Sequence, residues 1–246
     1  MSAWVGALRR MAWQPGRRAV LVGAGVVVAA LLSERSGALR AAESASAPDG
    51  ERAPDTKGPA QRATLYEEEP NNPTGLKFAG SARWSVATLP SRAGGAPEVA
   101  VRVDIAVPER RMRLRFELRR NTDISLPASH TAELHFTLPS GFVHGGIQNV
   151  PGLLMKASEQ ARGAPIAGVT VKVTDGMFMI GLSSADADRQ RNIAMLKERA
   201  WIDVPVVYDD GRRAILAFEK GPTGERALSA AFAAWDGAAL PAGEAK

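Results

Sequence analysis

Two neighbouring segments of strict alternation constrain the fold more than any other feature of this chain. Residues 99–107 read VAVRVDIAV and residues 112–119 read MRLRFELR, so apolar side chains occupy every second position. Successive side chains of a β-strand point to opposite faces, and each segment therefore predicts a strand with one buried and one polar face. Buried parallel strands would be apolar on both faces, so this alternation favours antiparallel pairing.

Further strands follow the same pattern. Residues 132–138 alternate through Ala132, Leu134, Phe136 and Leu138, and residues 169–173 alternate through valines. Asp-Gly at 175–176 predicts a tight turn into MFMIGL at 177–182. The segments 204–208 and 212–218 flank Asp-Asp-Gly and predict a hairpin.

Two helices complete the predicted domain. Ser183 and Asp186 have the spacing of a capping box, which predicts a helix that runs to about Arg199. Leu228, Ala231, Phe232 and Trp235 share one face of a final helix. The fold class is therefore mainly β, or α+β: an antiparallel β-sheet or sandwich with two helices.

An apolar leader precedes this domain. Residues 19–32 are fourteen uncharged residues, AVLVGAGVVVAALL, and follow paired arginines at 17–18 and at 9–10. A basic start before a short apolar run is typical of a signal anchor or of a cleaved signal peptide, and we favour the anchor. Paired arginines also leave a twin-arginine export route open. Arginines on the N-terminal side predict a cytoplasmic start, a span of the inner membrane and a periplasmic C-terminal domain.

The chain thus divides into five predicted parts. Residues 1–18 form the basic cytoplasmic N-terminus, and residues 19–32 form the anchor or signal core. Residues 33–63 are a flexible linker rich in Ala, Pro and Ser, because segment 41–62 contains no large apolar side chain to bury. Residues 64–236 form the β-rich soluble domain. Its acidic segment 66–73 (YEEEPNNP) is expected to be a loop that leads into the first strand. Residues 237–246 are a C-terminal tail.

The charge distribution argues against nucleic-acid binding. The chain has a net charge of +5, but six arginines and one glutamate in residues 1–40 account for all of it. The remaining residues hold 25 basic and 25 acidic side chains. A neutral domain lacks the basic surface that phosphate-backbone binding requires. The chain also has no cysteine, which excludes disulfides, thiolate zinc sites and a cysteine nucleophile.

All three histidines lie in one stretch, residues 125–146, and raise the question of a metal site. His130, Glu133 and His135 are spaced H-x-x-E-x-H, which is neither helical zinc pattern. On a strand, Glu133 and His135 are expected to point to the wet face, and His130 has the wrong parity to join them. A three-ligand site would need His144 to fold back beside His135. We therefore assign no metal ligands, and a metal-assisted hydrolase that uses His135, Glu133 and His144 is the alternative.

A short serine motif and a row of arginines are two further candidates for functional sites. GLSSA at 181–185 follows a strand and opens a helix, as a nucleophile elbow does, but it lacks the final glycine, and every histidine precedes Ser183. A helix cap explains Ser183 and Ser184. A row of arginines could bind anions, including acidic lipid headgroups, but pairing with Asp104 and Glu117 is the simpler expectation. This row consists of Arg110, Arg111, Arg113, Arg115, Arg119 and Arg120.

Several segments carry a resemblance to a known family: RRNTDISLPASHTAELHFTLP (119–139), NVPGLLMK (149–156), EQARGAPIAG (159–168), KVTDGMFMIGLS (172–183), LKERAWIDVPVVY (196–208) and RRAILAFEKGPTGERALSAAFAAW (212–235). They resemble an alphaproteobacterial family of membrane-anchored conserved hypothetical proteins. The resemblance covers about residues 64–235, plus a leader of the same kind but of unlike sequence. It implies a single-span envelope protein and transfers no catalytic residues.

The sequence therefore predicts an anchored or exported periplasmic domain with a non-catalytic binding or assembly role. No catalytic, cofactor-binding or metal-binding residue is assigned, and no cofactor is expected. The expected partners are the inner membrane, through the N-terminal segment, and an envelope protein of unknown identity. Docking to acidic lipid through the arginine row is a further alternative.

Overall fold

The alternating segments form neighbouring strands of one antiparallel sheet. The structure is a computed structural model and describes residues 59–91 and 96–237. Its twelve strands are β1 (Gln61–Glu69), β2 (Asn72–Leu89), β3 (Glu98–Val107), β4 (Met112–Arg120), β5 (Ala128–Thr137), β6 (Ile147–Asn149), β7 (Leu154–Lys156), β8 (Ala164–Pro165), β9 (Gly168–Thr174), β10 (Met177–Ser183), β11 (Trp201–Tyr208) and β12 (Arg213–Glu219). The prediction of a mainly antiparallel β-sheet is confirmed.

The strand order is β8-β7-β11-β12-β1-β2-β3-β4-β5-β10-β9, and β6 also pairs with β11. Consecutive strands form the meander from β1 to β5, where Val103 pairs with Phe116 and Phe116 pairs with Leu134. The N-terminal strand β1 lies inside the sheet, because its other neighbour is β12, with Leu65 opposite Leu216. The two free edges of this order are the short strand β8 and the seven-residue strand β9.

The sheet curls into a half-barrel around its apolar face. Phe116 of β4 and Phe218 of β12 are four strand steps apart, yet their ring centroids are only 6.1 Å apart. A flat sheet would separate them by about 19 Å at about 4.8 Å per strand. The apolar positions that the alternation predicted, such as Val103, Leu114 and Leu134, are all buried on this concave side.

Two helices close the concave side. Helix α1 is Asp186–Glu198 and buries Leu196, and helix α2 is Gly221–Trp235 and packs against β2 and β3. The predicted stripe of α2 is confirmed, since Leu228, Ala231 and Phe232 are buried. A short 3₁₀ turn, Pro108–Arg110, joins β3 to β4.

The predicted capping box is wrong. Ser183 is the last residue of β10, and α1 begins three residues later, with Ala185 at the N-cap and no side-chain cap. The Ser183 Oγ instead accepts a hydrogen bond from the Ala185 N–H at 3.3 Å. Ser183 pairs with Ala128 after a register shift, so it belongs to the strand and not to the first turn of the helix.

The acidic segment before the fold is also not a loop. Residues 66–69 belong to β1, Pro70 and Asn71 form the turn, and β2 begins at Asn72. Glu67 can enter a buried strand because Arg110 donates two hydrogen bonds to its carboxylate and the Tyr208 hydroxyl donates a third at 2.9 Å. Strand β1 begins at Gln61, within the segment assigned to the linker.

The leader at 19–32, the N-terminus at 1–18 and residues 33–58 lie outside the described residues. So do positions 238–246 of the predicted tail. Within residues 59–91 and 96–237, no helix has the length and apolar character needed to cross a bilayer.

Candidate functional site

A pocket of about 570 Å³ opens where the two helices meet the ends of β4 and β5. We call it the helix pocket. This volume lies within the range of about 300–1,000 Å³ that small-molecule sites occupy. It is lined by Arg120, Asn121, Ala128, Ser129, His130, Ser184, Asp186, Arg189, Ile193, Lys197, Phe232, Trp235 and Asp236.

Three rings form the floor of the helix pocket. The His130 centroid lies 5.1 Å from that of Trp235 and 5.9 Å from that of Phe232, and Phe232 meets Trp235 edge to face at 5.0 Å. The Trp235 Nε1–H donates to the Val99 carbonyl at 2.9 Å, which fixes the indole against β3. Parity explains the position of His130, because it shares the inner face of β5 with Ala132 and Leu134. The three rings are tilted to one another, and His130 and Phe232 are only 6% and 5% exposed, so the half-buried Trp235 supplies most of the ring surface that a ligand could reach.

His130 is a neutral member of this floor. The side chain is only 6% exposed, and its Nδ1 lies 3.2 Å from the Ser129 Oγ. Burial, together with the positive charges of Arg120 and Arg189, lowers the pKa of His130 from 6.5 to about 4. The imidazole is therefore uncharged near neutral pH, in a region where the surrounding potential is positive.

Cations surround this floor from two elements. Arg120 ends β4 and donates from Nη1 to the Trp235 carbonyl, while Arg189 and Lys197 lie on α1. The Lys197 Nζ is 4.8 Å from the Phe232 ring centroid, and the Arg189 Nη2 is 2.9 Å from the Asp186 Oδ1. Asp186 and Asp236 are the carboxylates of the lining, so three cations face two acids. A small anion with a planar apolar body matches this combination of charge and rings.

The same geometry gives little support to nucleophilic catalysis in the helix pocket. Ser129 is the hydroxyl nearest to His130, but its Oγ donates to the strand carbonyl of Ser183 at 3.1 Å. A base with a pKa of about 4 is a weak proton acceptor for a serine hydroxyl. Among the described residues, no carboxylate contacts the other nitrogen of the His130 ring to orient it.

His135 and Glu133 lie on the outer face of β5, away from the helix pocket. The His135 Nε2 is 3.5 Å from the Glu133 Oε2, and Glu133 also lies 3.5 Å from the Nε of Arg119. The expectation that both point to a wet face is correct for His135, which is 41% exposed, but wrong for Glu133, which is buried. The cross-strand register explains the burial, because Glu133 faces Glu117 and Arg119 lies between their carboxylates.

His144 does not fold back beside His135. Its Nδ1 is 2.8 Å from the Asp210 Oδ2, its Nε2 is 3.6 Å from the Glu67 Oε2, and its ring stacks on Tyr208 at 4.6 Å. These partners belong to β1 and to the end of the β11–β12 hairpin. The structure thus brings His135 and Glu133 together and leaves His130 and His144 elsewhere. Nowhere in the described part of the chain do three His, Asp or Glu side chains converge as a metal site.

The arginine row pairs with acids, as expected. The Arg115 Nε donates to Asp104 at 2.9 Å, and the Arg119 Nη2 lies 3.3 Å from Glu117. Arg110 is bound to Glu67, and Glu117 also accepts from the Nε of Arg102 at 2.8 Å. Arg111, Arg113 and Arg120 have exposed side chains. Ion pairs therefore occupy half of the row, which reduces the support for lipid docking.

A second charged cluster is buried beneath the outer loop that follows β7. The Lys156 Nζ lies 2.9 Å from the Asp203 Oδ1, and both residues are at most 3% exposed. Burial lowers the pKa of Lys156 and raises that of Asp203 to about 6. Glu159 accepts hydrogen bonds from Tyr66 at 2.5 Å and from Thr64 at 3.1 Å. Because the Lys156–Asp203 pair is buried, we assign the cluster a structural role.

The helix pocket was not predicted, although each signal for it is present in the sequence. His130 has the same parity as the apolar Ala132 and Leu134, which places it on the core face, and the final helix carries Phe232 and Trp235 in its last turns. Neither observation indicates that these residues meet, because β5 and α2 are about 100 residues apart in the chain.

No protein-family model, no curated protein and no solved structure matches this chain. The geometry of the helix pocket therefore carries the functional argument.

Proposed function

We propose that this chain is an exported envelope domain that binds a small anionic ligand with a planar apolar body, without catalysis, in the helix pocket. The observation that carries the proposal is the floor of His130, Phe232 and Trp235 beneath the cations Arg120 and Arg189. Ring stacking favours the flat body of the ligand, and the cations favour its carboxylate or sulfonate.

The neighbouring Ser129 and His130 make a poor nucleophile and base, because the pKa of His130 is about 4 and the Ser129 hydroxyl donates to a strand carbonyl, and this supports binding rather than turnover in the helix pocket. The predicted location comes from the leader at 19–32, which would hold the domain at the inner membrane or direct its release into the periplasm. An envelope protein partner remains part of this proposal. A reporter fused after Trp235 tests the location, because activity confined to the cytoplasm would contradict export.

Two fluorescent probes of similar shape test the ligand class. Anilinonaphthalene sulfonate carries a negative charge beside its aromatic rings, whereas phenylnaphthylamine lacks the sulfonate. We expect the purified full chain to bind the sulfonate probe more tightly than the neutral one. Hydrogen bonds to charged groups contribute about 1.5–3 kcal/mol, so each of Arg120→Gln and Arg189→Gln should weaken sulfonate binding about tenfold or more.

The matched control is Arg113→Gln, because Arg113 is exposed on β4 and does not line the helix pocket. This variant should bind both probes like the wild type. The affinity for phenylnaphthylamine should be the same in all three variants. Equal sulfonate binding in the wild type and in both pocket variants would contradict the proposal, as would equal affinity of the wild type for the two probes.

A further inference from the structure

Strand β9 is a free edge that presents apolar side chains to solvent. Among the described strands it pairs with β10 alone, and its valines at 169, 171 and 173 are 71%, 52% and 47% exposed. We call these three residues the valine edge. Val169 and Val171 point to the outer face, because the intervening Thr170 pairs with the core residue Ile180. Val173 lies at a bulge between Lys172 and Thr174 and has no partner on β10. Alternation of this kind normally marks a buried face, and here the face lacks a cover within the described residues.

The backbone of β9 is also available for pairing. The Ser183 N–H donates to the Ala167 carbonyl at 2.9 Å, which starts the bonded set between β10 and β9. Successive residues of an antiparallel strand direct their backbone N–H and C=O groups to opposite sides of the strand. Val169 and Val171 therefore bond to β10, as Ala167 does, and Thr170 and Lys172 direct their backbone groups to the free edge. Strand edges are usually protected by proline or by a free lysine. Residues 168–174 contain no proline, and Asp175 neutralises Lys172 at 2.9 Å.

We propose that β9 pairs antiparallel with β9 of a second copy of this chain, about a two-fold axis at Val171. This inference is independent of the helix pocket. In this register Val171 faces Val171 of the second copy, and Val169 faces Val173, the residue at the bulge of β9. Lys172 faces Thr170, whose Oγ1 is buried without a hydrogen-bond partner among the described residues. The register contains no pair of like charges.

Self-complementarity is the reason to prefer a second copy to an unrelated strand. Moving the register by two residues towards the turn would set Lys172 opposite Lys172 and Val169 opposite Asp175. Moving it the other way would leave Val173 opposite Ala167. A shift of one residue would place a valine opposite Thr170 or Lys172. It would also put the core face of one copy on the same side as the outer face of the other. Only the register centred on Val171 therefore matches the complete valine edge with itself.

The contact is small. Pairing of seven residues buries well below the roughly 1,200–2,000 Å² of a stable interface, so we expect a weak dimer whose population depends on concentration. Tethering two copies to one membrane surface would raise their effective concentration and favour it.

The chain has no cysteine, so an introduced cysteine reports contact between copies without interference. Val171→Cys should form a disulfide-linked dimer on mild oxidation of the full chain, because the Cβ atoms of facing residues are about 4.5–5.5 Å apart. Val169→Cys and Val173→Cys should each give little dimer alone and should cross-link when mixed. The control is Val143→Cys, which is 66% exposed but lies in a loop away from β9.

Sedimentation of the cysteine-free chain provides a second measurement. Val171→Lys would set two lysines opposite each other on the axis and should weaken association at least tenfold. Cross-linking of Val171→Cys above the Val143→Cys level, together with cross-linking of the mixed pair, would support the proposal. The proposal would be overturned if Val171→Cys stayed monomeric on oxidation or cross-linked no more than Val143→Cys. It would also be overturned if Val169→Cys alone gave more dimer than the mixture of Val169→Cys and Val173→Cys. Ligand binding in the helix pocket is unaffected by these outcomes, so the two proposals can fail separately.

Discussion

His130 makes the stability of this domain depend on pH in a defined window. Its pKa is 6.5 in an unfolded chain and about 4 in the folded one, chiefly because burial disfavours the charged ring. Between these values the unfolded state binds more protons than the folded state, so the free energy of unfolding rises with pH. The stabilisation is complete above about pH 6.5 and is lost as the pH falls towards 4.

The magnitude follows from the difference between the two pKa values. Each pKa unit corresponds to 1.36 kcal/mol, so His130 should contribute about 3 kcal/mol to the loss of stability between about pH 7 and pH 4. His130→Phe keeps a ring in the floor of the helix pocket and removes the titration. We therefore expect the variant to lose about 3 kcal/mol less than the wild type across this range.

Urea denaturation of both proteins at several pH values measures this difference. Asp203, whose pKa burial raises to about 6, titrates in the same range with the opposite sign. It does so in both proteins and therefore cancels in the comparison. His130→Gln separates the loss of the proton site from the change in volume, and its pH dependence should match that of His130→Phe. Parallel stability curves for the wild type and both variants would refute the reasoning.

Three further substitutions test the packing around these sites by chemical or thermal denaturation. Arg119→Ala should destabilise the fold by about 3 kcal/mol, because it leaves two facing buried carboxylates without the cation between them; a loss below about 1 kcal/mol would contradict this. Lys156→Met should cost about 3–5 kcal/mol, but combining it with Asp203→Leu should recover most of that loss, since a buried pair costs most when only one partner is removed. No recovery in the double variant would count against the structural role. Gly224→Ala should cost about 1–3 kcal/mol, because its Cβ would lie 2.8 Å from the Trp84 ring; an unchanged melting temperature would show that the site relaxes.

The local pattern predicted those strands whose two faces differ. Strands β3, β4 and β5 alternate clearly, so the hairpins that join them were accessible from the sequence. Strand β1 was missed because its three consecutive glutamates look like a solvated loop. Glu67 is buried only because Arg110 and Tyr208 reach it from 43 and 141 residues away. No local pattern contains such partners.

The helix pocket could not be predicted from the sequence for a similar reason. The α2 stripe was predicted correctly, but a stripe of apolar residues predicts burial and does not say what lies at its end. The pocket forms because three segments, at 120–130, 184–197 and 232–236, meet beyond the edge of the core. The valine edge shows the converse: its alternation predicted a strand, but which face would be covered depends on where the sheet ends.

The position of β1 within the sheet also imposes an order on folding. Strand β1 pairs with β2 a few residues later in the chain, but its other neighbour, β12, begins about 150 residues further on. Pairs that are so distant in sequence form slowly, because a long loop must close before they contribute. A chain that is synthesised from its N-terminus therefore exposes one side of β1 until residues 213–219 arrive. During that interval the sheet has a temporary edge beside Glu67, in addition to the edge that β9 leaves free in the folded domain.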